Sequence, residues 1–228
     1  MDDDRVIATG GPRLACRVWG PPTAEPLVLL HALGEGAADW GVVAPALAKH
    51  RRVYAPDLRG HGQSDWPGDY SVERMETDVL RFLDALKLER VELIGHSMGG
   101  LVAYLLAGDH PHRVSRLILE DVAALLPRQR GLPERPAGEL PYDWEMVLAI
   151  RRQIDNPDPG WLGRLGQITA ETLVIGGGPQ SYIPQDWVVE LARRIPGAHL
   201  ETIPVGHLIH SADPEAFTRM ALAFLSPA

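Results

Sequence analysis

The sequence holds a single cysteine, Cys16, in 228 residues. No intramolecular disulfide can form, and a metal site built from several thiolates is excluded. Basic residues are the minority, 22 against 30 acidic ones, for a formal charge of -8. The broad positive field that captures phosphate backbones or anionic lipid is missing, so neither nucleic acid nor membrane is an expected partner. No stretch reaches the ~18 uninterrupted apolar residues of a membrane helix. The opening MDDDRVIATG lacks the basic start and apolar run of a secretory signal. These absences predict a soluble cytoplasmic protein. Internal repeats and low-complexity tracts are absent too, and none of these features sets the oligomeric state.

What the chain does have is 45% hydrophobic residues, enough for one sizeable core, and residues 1 to 228 are read as a single domain. Short β-rich apolar runs alternate with helical patterns, which predicts an α/β fold with a mostly parallel central sheet flanked by helices. The strand candidates are 26 to 31, 51 to 55, 91 to 95, 114 to 120 and 172 to 176, each nearly all apolar, as suits strands buried on both faces. Residues around RVIATGGPRLACRVW read as an opening hairpin turning at Gly10 and Gly11. Val72, Met75, Val79, Phe82, Leu83 and Leu86 recur at helical spacing, as do Trp187, Leu191 and Ile195. Asp213 followed by Pro214 starts a last helix that should bury Phe217, Met220, Ala221, Phe224 and Leu225 on one face.

Residues 123 to 168 break this rhythm, being rich in Pro, Arg and Gly around one helical stretch, DWEMVLAIRRQI. The segment reads as a short cap inserted at the catalytic edge, with Trp144, Met146 and Trp161 offering apolar surface to a substrate. The alternative is a long surface loop carrying one helix.

Chemistry enters at VELIGHSMGGLVAYLLAG, where GxSxG spans Gly95 to Gly99. An apolar strand ends at Gly95 and an apolar helix begins at Met98, the strand, sharp turn and helix that expose a nucleophilic serine, here Ser97. Glycines two before and two after it are needed because the turn crowds the backbone. The oxyanion formed in acyl transfer needs two fixed donors, and the N–H of Met98 is one candidate.

With LLHALGEGAADW (29 to 40), APDLRGHGQSD (55 to 65), LIGHSMGG (93 to 100) and IPVGHLIH (203 to 210) in that order, the chain resembles the α/β-hydrolase superfamily, specifically its small esterase-like and haloperoxidase-like serine hydrolases. The likeness covers nearly the whole chain. It implies that His207, beyond the last strand, is the general base and that the N–H of Leu33 is the second oxyanion donor. His210 is the competing base, while His31, His61 and His96 read as loop-organising or packing residues. Asp57, Arg59 and Asp65 are expected to hold the DLRGHGQSD loop in place. Two positions depart from the pattern. Ala32 replaces the usual glycine, a strain of ~1 kcal/mol if that position needs a positive φ. Gln180 stands where most relatives carry the triad acid. Another branch of the superfamily has its acid at the end of the preceding strand, which here closes on Glu120 and Asp121. Asp121 is the expected acid, Glu120 the adjacent alternative, and Asp186 a further one; alternation along the strand points only one of the pair at His207.

The expected activity is hydrolysis of a small carboxylic ester or lactone through an acyl-enzyme, with a small ester-like molecule as partner. No cofactor is expected, and no metal, because the histidines lack ligand spacing. Serine at 97 argues against the dehalogenase and epoxide-hydrolase branches, which resemblance says need aspartate there. Thioesterase, perhydrolase and carbon–carbon bond hydrolase remain open on the same triad. A weakly catalytic ligand-binding or signalling protein is a second class, favoured by Gln180 and Ala32.

Overall fold

The strands alternate their apolar side chains between two cores. In a computed structural model describing residues 3 to 226, the eight strands are β1 (Asp3–Ile7), β2 (Leu14–Trp19), β3 (Pro26–Leu30), β4 (Arg52–Pro56), β5 (Val91–His96), β6 (Val114–Glu120), β7 (Glu171–Gly176) and β8 (His199–Thr202). They form one sheet in the order β1-β2-β4-β3-β5-β6-β7-β8. The β1–β2 and β2–β4 pairs are antiparallel and the others parallel. Successive residues of a strand face opposite sides. Leu93, Leu117 and Val174 accordingly enter one core while their neighbours Ile94, Ile118 and Ile175 enter the other. That is why these strands read as continuous apolar runs.

Helices cover both faces: α1 (Ala44–Leu47), α2 (Val72–Ala85), α3 (Met98–Asp109), α4 (Trp144–Asp155), α5 (Gly160–Leu165), α6 (Gln185–Arg194), α7 (Ile209–Ala212) and α8 (Pro214–Leu225). The start of α2 is fixed by Ser71, whose side chain accepts from Arg74 N–H at 3.1 Å. Its Met75, Val79, Phe82 and Leu83 are fully buried, and truncating Phe82 to alanine would cost about 3–5 kcal/mol. Asp213 caps α8 through Ala216 N–H, 2.9 Å. Only Phe217, Ala221 and Leu225 of that helix are fully buried, a narrower stripe than expected, with Met220 and Phe224 at its margin. The hairpin turn has Gly10 at φ 76. Between β6 and β7 the chain leaves the sheet and returns through α4 and α5. Among the described residues no helix is long and apolar enough to cross a membrane.

Candidate active site

Ser97 sits between β5 and α3 at φ 51, ψ -114, a conformation side chains rarely adopt. A Cβ on Gly95 would lie 2.5 Å from the Gly99 carbonyl oxygen, and one on Gly99 would lie 2.3 Å from that of Leu30. Both positions therefore demand glycine. The turn is tied to the sheet by Ser97 N–H donating to the Glu120 carbonyl at 3.0 Å. It is tied to α3 by Gly100 and Leu101 N–H donating to Ser97's own carbonyl.

His96 pairs with Glu120 across the β5–β6 ladder, so the residue after Glu120 emerges beside the residue after His96. Asp121, at φ 48, turns its carboxylate toward the loop that carries His207. His207 Nδ1 lies 2.7 Å from Asp121 Oδ2. The other histidine nitrogen, Nε2, is buried and has no hydrogen-bond partner among the described residues. Ser97, His207 and Asp121 all line one cavity of about 450 Å³, together with Leu33 and Met98. Neither the Leu33 nor the Met98 amide donates a turn or loop hydrogen bond among the described residues.

Asp121 is held by more than His207. Its Oδ1 accepts from Gly177 N–H at 2.8 Å and from the Gln185 amide at 3.1 Å, and its Oδ2 accepts from the Ser181 hydroxyl. Burial alone would raise the Asp121 pKa, but the bonds from His207, Ser181, Gly177 and Gln185 outweigh it and hold the group below the usual carboxylate range. The turn after β7, where relatives are expected to place the acid and where Gln180 stands here, thus supplies donors to a carboxylate just past the end of β6. Sequence reasoning missed Ser181 and Gln185; the signal was the unusually polar PQSYIPQ at that turn.

Glu120 serves a different histidine. Both of its oxygens lie 2.9 Å from His210 Nδ1, and one accepts from His210 N–H at 2.8 Å. His210 Nε2 meets Asp39 at 3.0 Å, and its ring stacks on Trp40 with centroids 4.2 Å apart. Burial alone would lower the His210 pKa, yet the two carboxylates push it up to about 10, so the ring is an imidazolium. His96 is the reverse case: burial brings it down to about 4, and as a neutral ring it donates from Nε2 to the His207 carbonyl at 2.9 Å. Asp39, His96 and His210 bring potential ligand atoms within 4.8 Å of one another. The carboxylates on both His210 nitrogens account for that ring as a cation in its own right.

The remaining loop residues fall where expected. His31 Nε2 accepts from Leu58 N–H at 2.9 Å, and His61 Nε2 accepts from Gly34 N–H at 3.2 Å, steadying the loop that carries Leu33. Asp57 accepts from Ala37 N–H and Gln63 N–H, Arg59 is buried against Asp78, and Asp65 binds Arg13. Asp186 lies in the first turn of α6. Three expectations are corrected. Ala32 is not among the residues with positive φ, so the alanine brings no backbone strain. Trp161 does not face the cavity; it is 1% exposed and its indole donates to Glu73 at 2.9 Å. Met146 is buried against Gly60. Of the three apolar candidates only Trp144 lines the cavity, accompanied by Val147, Ile154 and Tyr182. Tyr182 packs its ring on His207 with centroids 4.4 Å apart.

A family model described as alpha/beta hydrolase fold matches residues 25 to 149. The chain is 39% identical over 266 aligned positions to a 2-hydroxy-6-oxo-2,4-heptadienoate hydrolase of Pseudomonas putida, covering 97% of this chain and 96% of that one. The 266 positions exceed the 228 residues of the chain, so this relative carries segments that the chain lacks. A 2-hydroxymuconate semialdehyde hydrolase of a Pseudomonas species is 42% identical, with 89% of this chain and 87% of that one covered. Among solved structures, the enol-lactonase from Burkholderia xenovorans superimposes with a TM-score of 0.87 at 27% identity, over 98% of this chain and 100% of that one. The chain belongs to the α/β-hydrolase superfamily and is a hydrolase.

Proposed function

We propose that this hydrolase cleaves a small carboxylic ester or lactone through an acyl-enzyme. Ser97 Oγ attacks the carbonyl carbon as His207 Nε2 takes its proton. The oxyanion is held between the N–H groups of Leu33 and Met98. Collapse expels the alcohol, which takes the proton from the imidazolium, and water then attacks the acyl-enzyme by the same route in reverse roles. Asp121 fixes the tautomer that leaves Nε2 free and stabilises the imidazolium. The observation that carries this reading is the 2.7 Å contact of Nδ1 with Asp121, with Nε2 left unpartnered among the described residues in the cavity that Ser97 lines. Residues 123 to 168 act as a short cap over that cavity within one domain, and the single cysteine suits a cytoplasmic location.

A second reading of the substrate is favoured by Arg151 of α4. It lines the cavity, and its buried Nε has no hydrogen-bond partner among the described residues, whereas Arg128 on the same wall is engaged by Asp155 at 2.7 Å. An unsatisfied guanidinium suits a carboxylate on the substrate. The curated relatives are named for a heptadienoate and a muconate semialdehyde, so carbon–carbon hydrolysis of an acidic ketone by the same triad is the alternative. Steady-state rates on p-nitrophenyl acetate, on its hemisuccinate analogue and on a 6-oxo-dienoate, each with wild type and Ser97→Ala, separate these readings. Multiple turnovers on the esters that vanish in the variant support the ester reading. Turnover of the dienoate alone moves the assignment to carbon–carbon hydrolysis.

A further inference from the structure

The parts of the proposed site come from four separate segments, and one ring touches the supports of all of them. His210 binds Glu120 on one side and Asp39 on the other. Glu120 supplies the carbonyl that accepts from Ser97 N–H and immediately precedes Asp121. Asp39 lies in the 3-10 turn Ala37–Val42, directly after the loop of Leu33. His210 itself is three residues beyond His207, whose carbonyl is held by His96.

The geometry points to His210 and Asp39 as positioning residues: the buried Glu120–His210–Asp39 bridge fixes the oxyanion loop against the strand end that carries nucleophile and acid. The inference rests on the serine-hydrolase reading above, because it concerns the Leu33 amide as an oxyanion donor. Backbone donors stabilise a transition state only when they are already in place, so a loop free to shift loses that stabilisation without losing the substrate pocket. Two features make the bridge suited to this. The imidazolium is fully buried and stacked on Trp40. It also links Asp39 and Glu120, which stand 171 and 90 residues from it in sequence, and among the described residues no strand pairing connects the 37 to 42 turn to β6. Ser211 adds a longer contact to Asp39 at 3.3 Å. His210 neither lines the cavity nor replaces His207 as base, so its part is indirect.

Asp39→Ala is the informative variant, because the Asp39 side chain is 16% exposed and water can take its place without leaving a void. Its kcat on p-nitrophenyl acetate should fall by roughly 10- to 100-fold, below the full loss of an oxyanion donor, with KM changed less than about threefold. Phenylboronic acid, which mimics the tetrahedral state, should bind more weakly in proportion to kcat, while the product acetate binds as before. Asp39→Asn, whose amide oxygen can still accept from Nε2, should recover part of the loss. His210→Gln paired with Glu120→Gln, which leaves no buried carboxylate uncompensated, should reproduce the kcat loss if it folds. A kcat within twofold of wild type in Asp39→Ala, or a change confined to KM, overturns the bridge. Fluorophosphonate labelling in the same series separates the two readings. Labelling of wild type but not of Ser97→Ala, with Asp39→Ala labelled at the wild-type rate, sinks the bridge alone; no labelling of wild type sinks both.

Discussion

Asp121→Asn tests the proposed triad most severely, and the surrounding hydrogen bonds say how large its effect should be. Asparagine tolerates the positive φ of this position, so the backbone can stay as it is. One of the two carboxylate oxygens must become an NH₂ group. If it is the one facing Gly177, two donors confront each other across 2.8 Å, and the backbone N–H cannot turn away. If it is the one facing His207 and Ser181, the hydroxyl can rotate and the imidazole can move its proton. The amide will therefore donate to His207 Nδ1 and force the proton onto Nε2, the nitrogen that should receive the proton of Ser97. The variant holds the wrong tautomer, so the loss should approach the ~10⁴ in kcat that a wrong tautomer costs a serine triad, about 5.4 kcal/mol at 1.36 kcal/mol per tenfold. The assay is kcat on p-nitrophenyl acetate beside a thermal melt, with Tm expected within a few degrees of wild type. Glu120→Gln should affect turnover far less. If Asp121→Asn keeps more than about a tenth of the wild-type kcat while folded, Asp121 does not govern the His207 tautomer and the reasoning fails.

Ser97→Ala should abolish fluorophosphonate labelling and leave Tm unchanged; a labelled variant would place the nucleophile elsewhere. Arg151→Gln should raise KM for a carboxylate-bearing ester by roughly 10- to 100-fold, the worth of a charge-assisted hydrogen bond, with acetate esters unaffected. Equal changes on charged and neutral esters would remove Arg151 from substrate recognition. Trp144→Ala should shift the ratio of rates between short and long acyl esters, and an unchanged ratio would show that α4 does not shape the acyl site. Burial, with Asp109 nearby, pushes the Glu76 pKa up to about 7. Through the window from about 4.5 to 7 the folded protein keeps a proton that the unfolded chain releases, so stability falls as pH rises there. Glu76→Gln removes that fall; the Tm advantage of the variant should be small at pH 4.5 and full by pH 8, and a constant difference would contradict the assignment.

The sheet was legible because burial on both faces leaves an apolar run that no other element of that length shows, and β3 to β7 end within a residue or so of the runs read for them. The carboxylate pair at the end of β6 was legible for a different reason. Two carboxylates closing a buried strand are costly unless each has a partner, and both do, Glu120 with His210 and Asp121 with His207. Ser181 and Gln185 left only a faint trace, since their bonds to Asp121 span 60 and 64 residues and depend on how one turn folds over another strand. Trp161 misled because a large aromatic in an inserted segment signals apolar surface without saying whether that surface meets a cavity or a neighbouring helix; here it meets α2 through Glu73. Ala32 misled because a residue type reports what a backbone permits, and the conformation there is one that alanine permits as well.

The placement of the proposed acid just past the end of β6 has a consequence for the order in which the site comes apart. Ser97 and Asp121 are pinned by main-chain bonds to the middle of the sheet, Ser97 N–H to Glu120 and Asp121 N–H to the Ile175 carbonyl at 2.8 Å. His207 rides on the segment following β8, whose four residues are all exposed at the sheet edge. That segment is held by the Gly206 N–H to Gly177 carbonyl bond and by the grip of His96. Local opening favours edges and loops over central strands. Amide exchange around 203 to 209 should outpace that of Ser97 and Asp121, and mild heating should release His207 while Ser97 and Asp121 keep their spacing. Inactivation of this kind would reverse on cooling, because the surviving half of the constellation is the template on which the loop settles again.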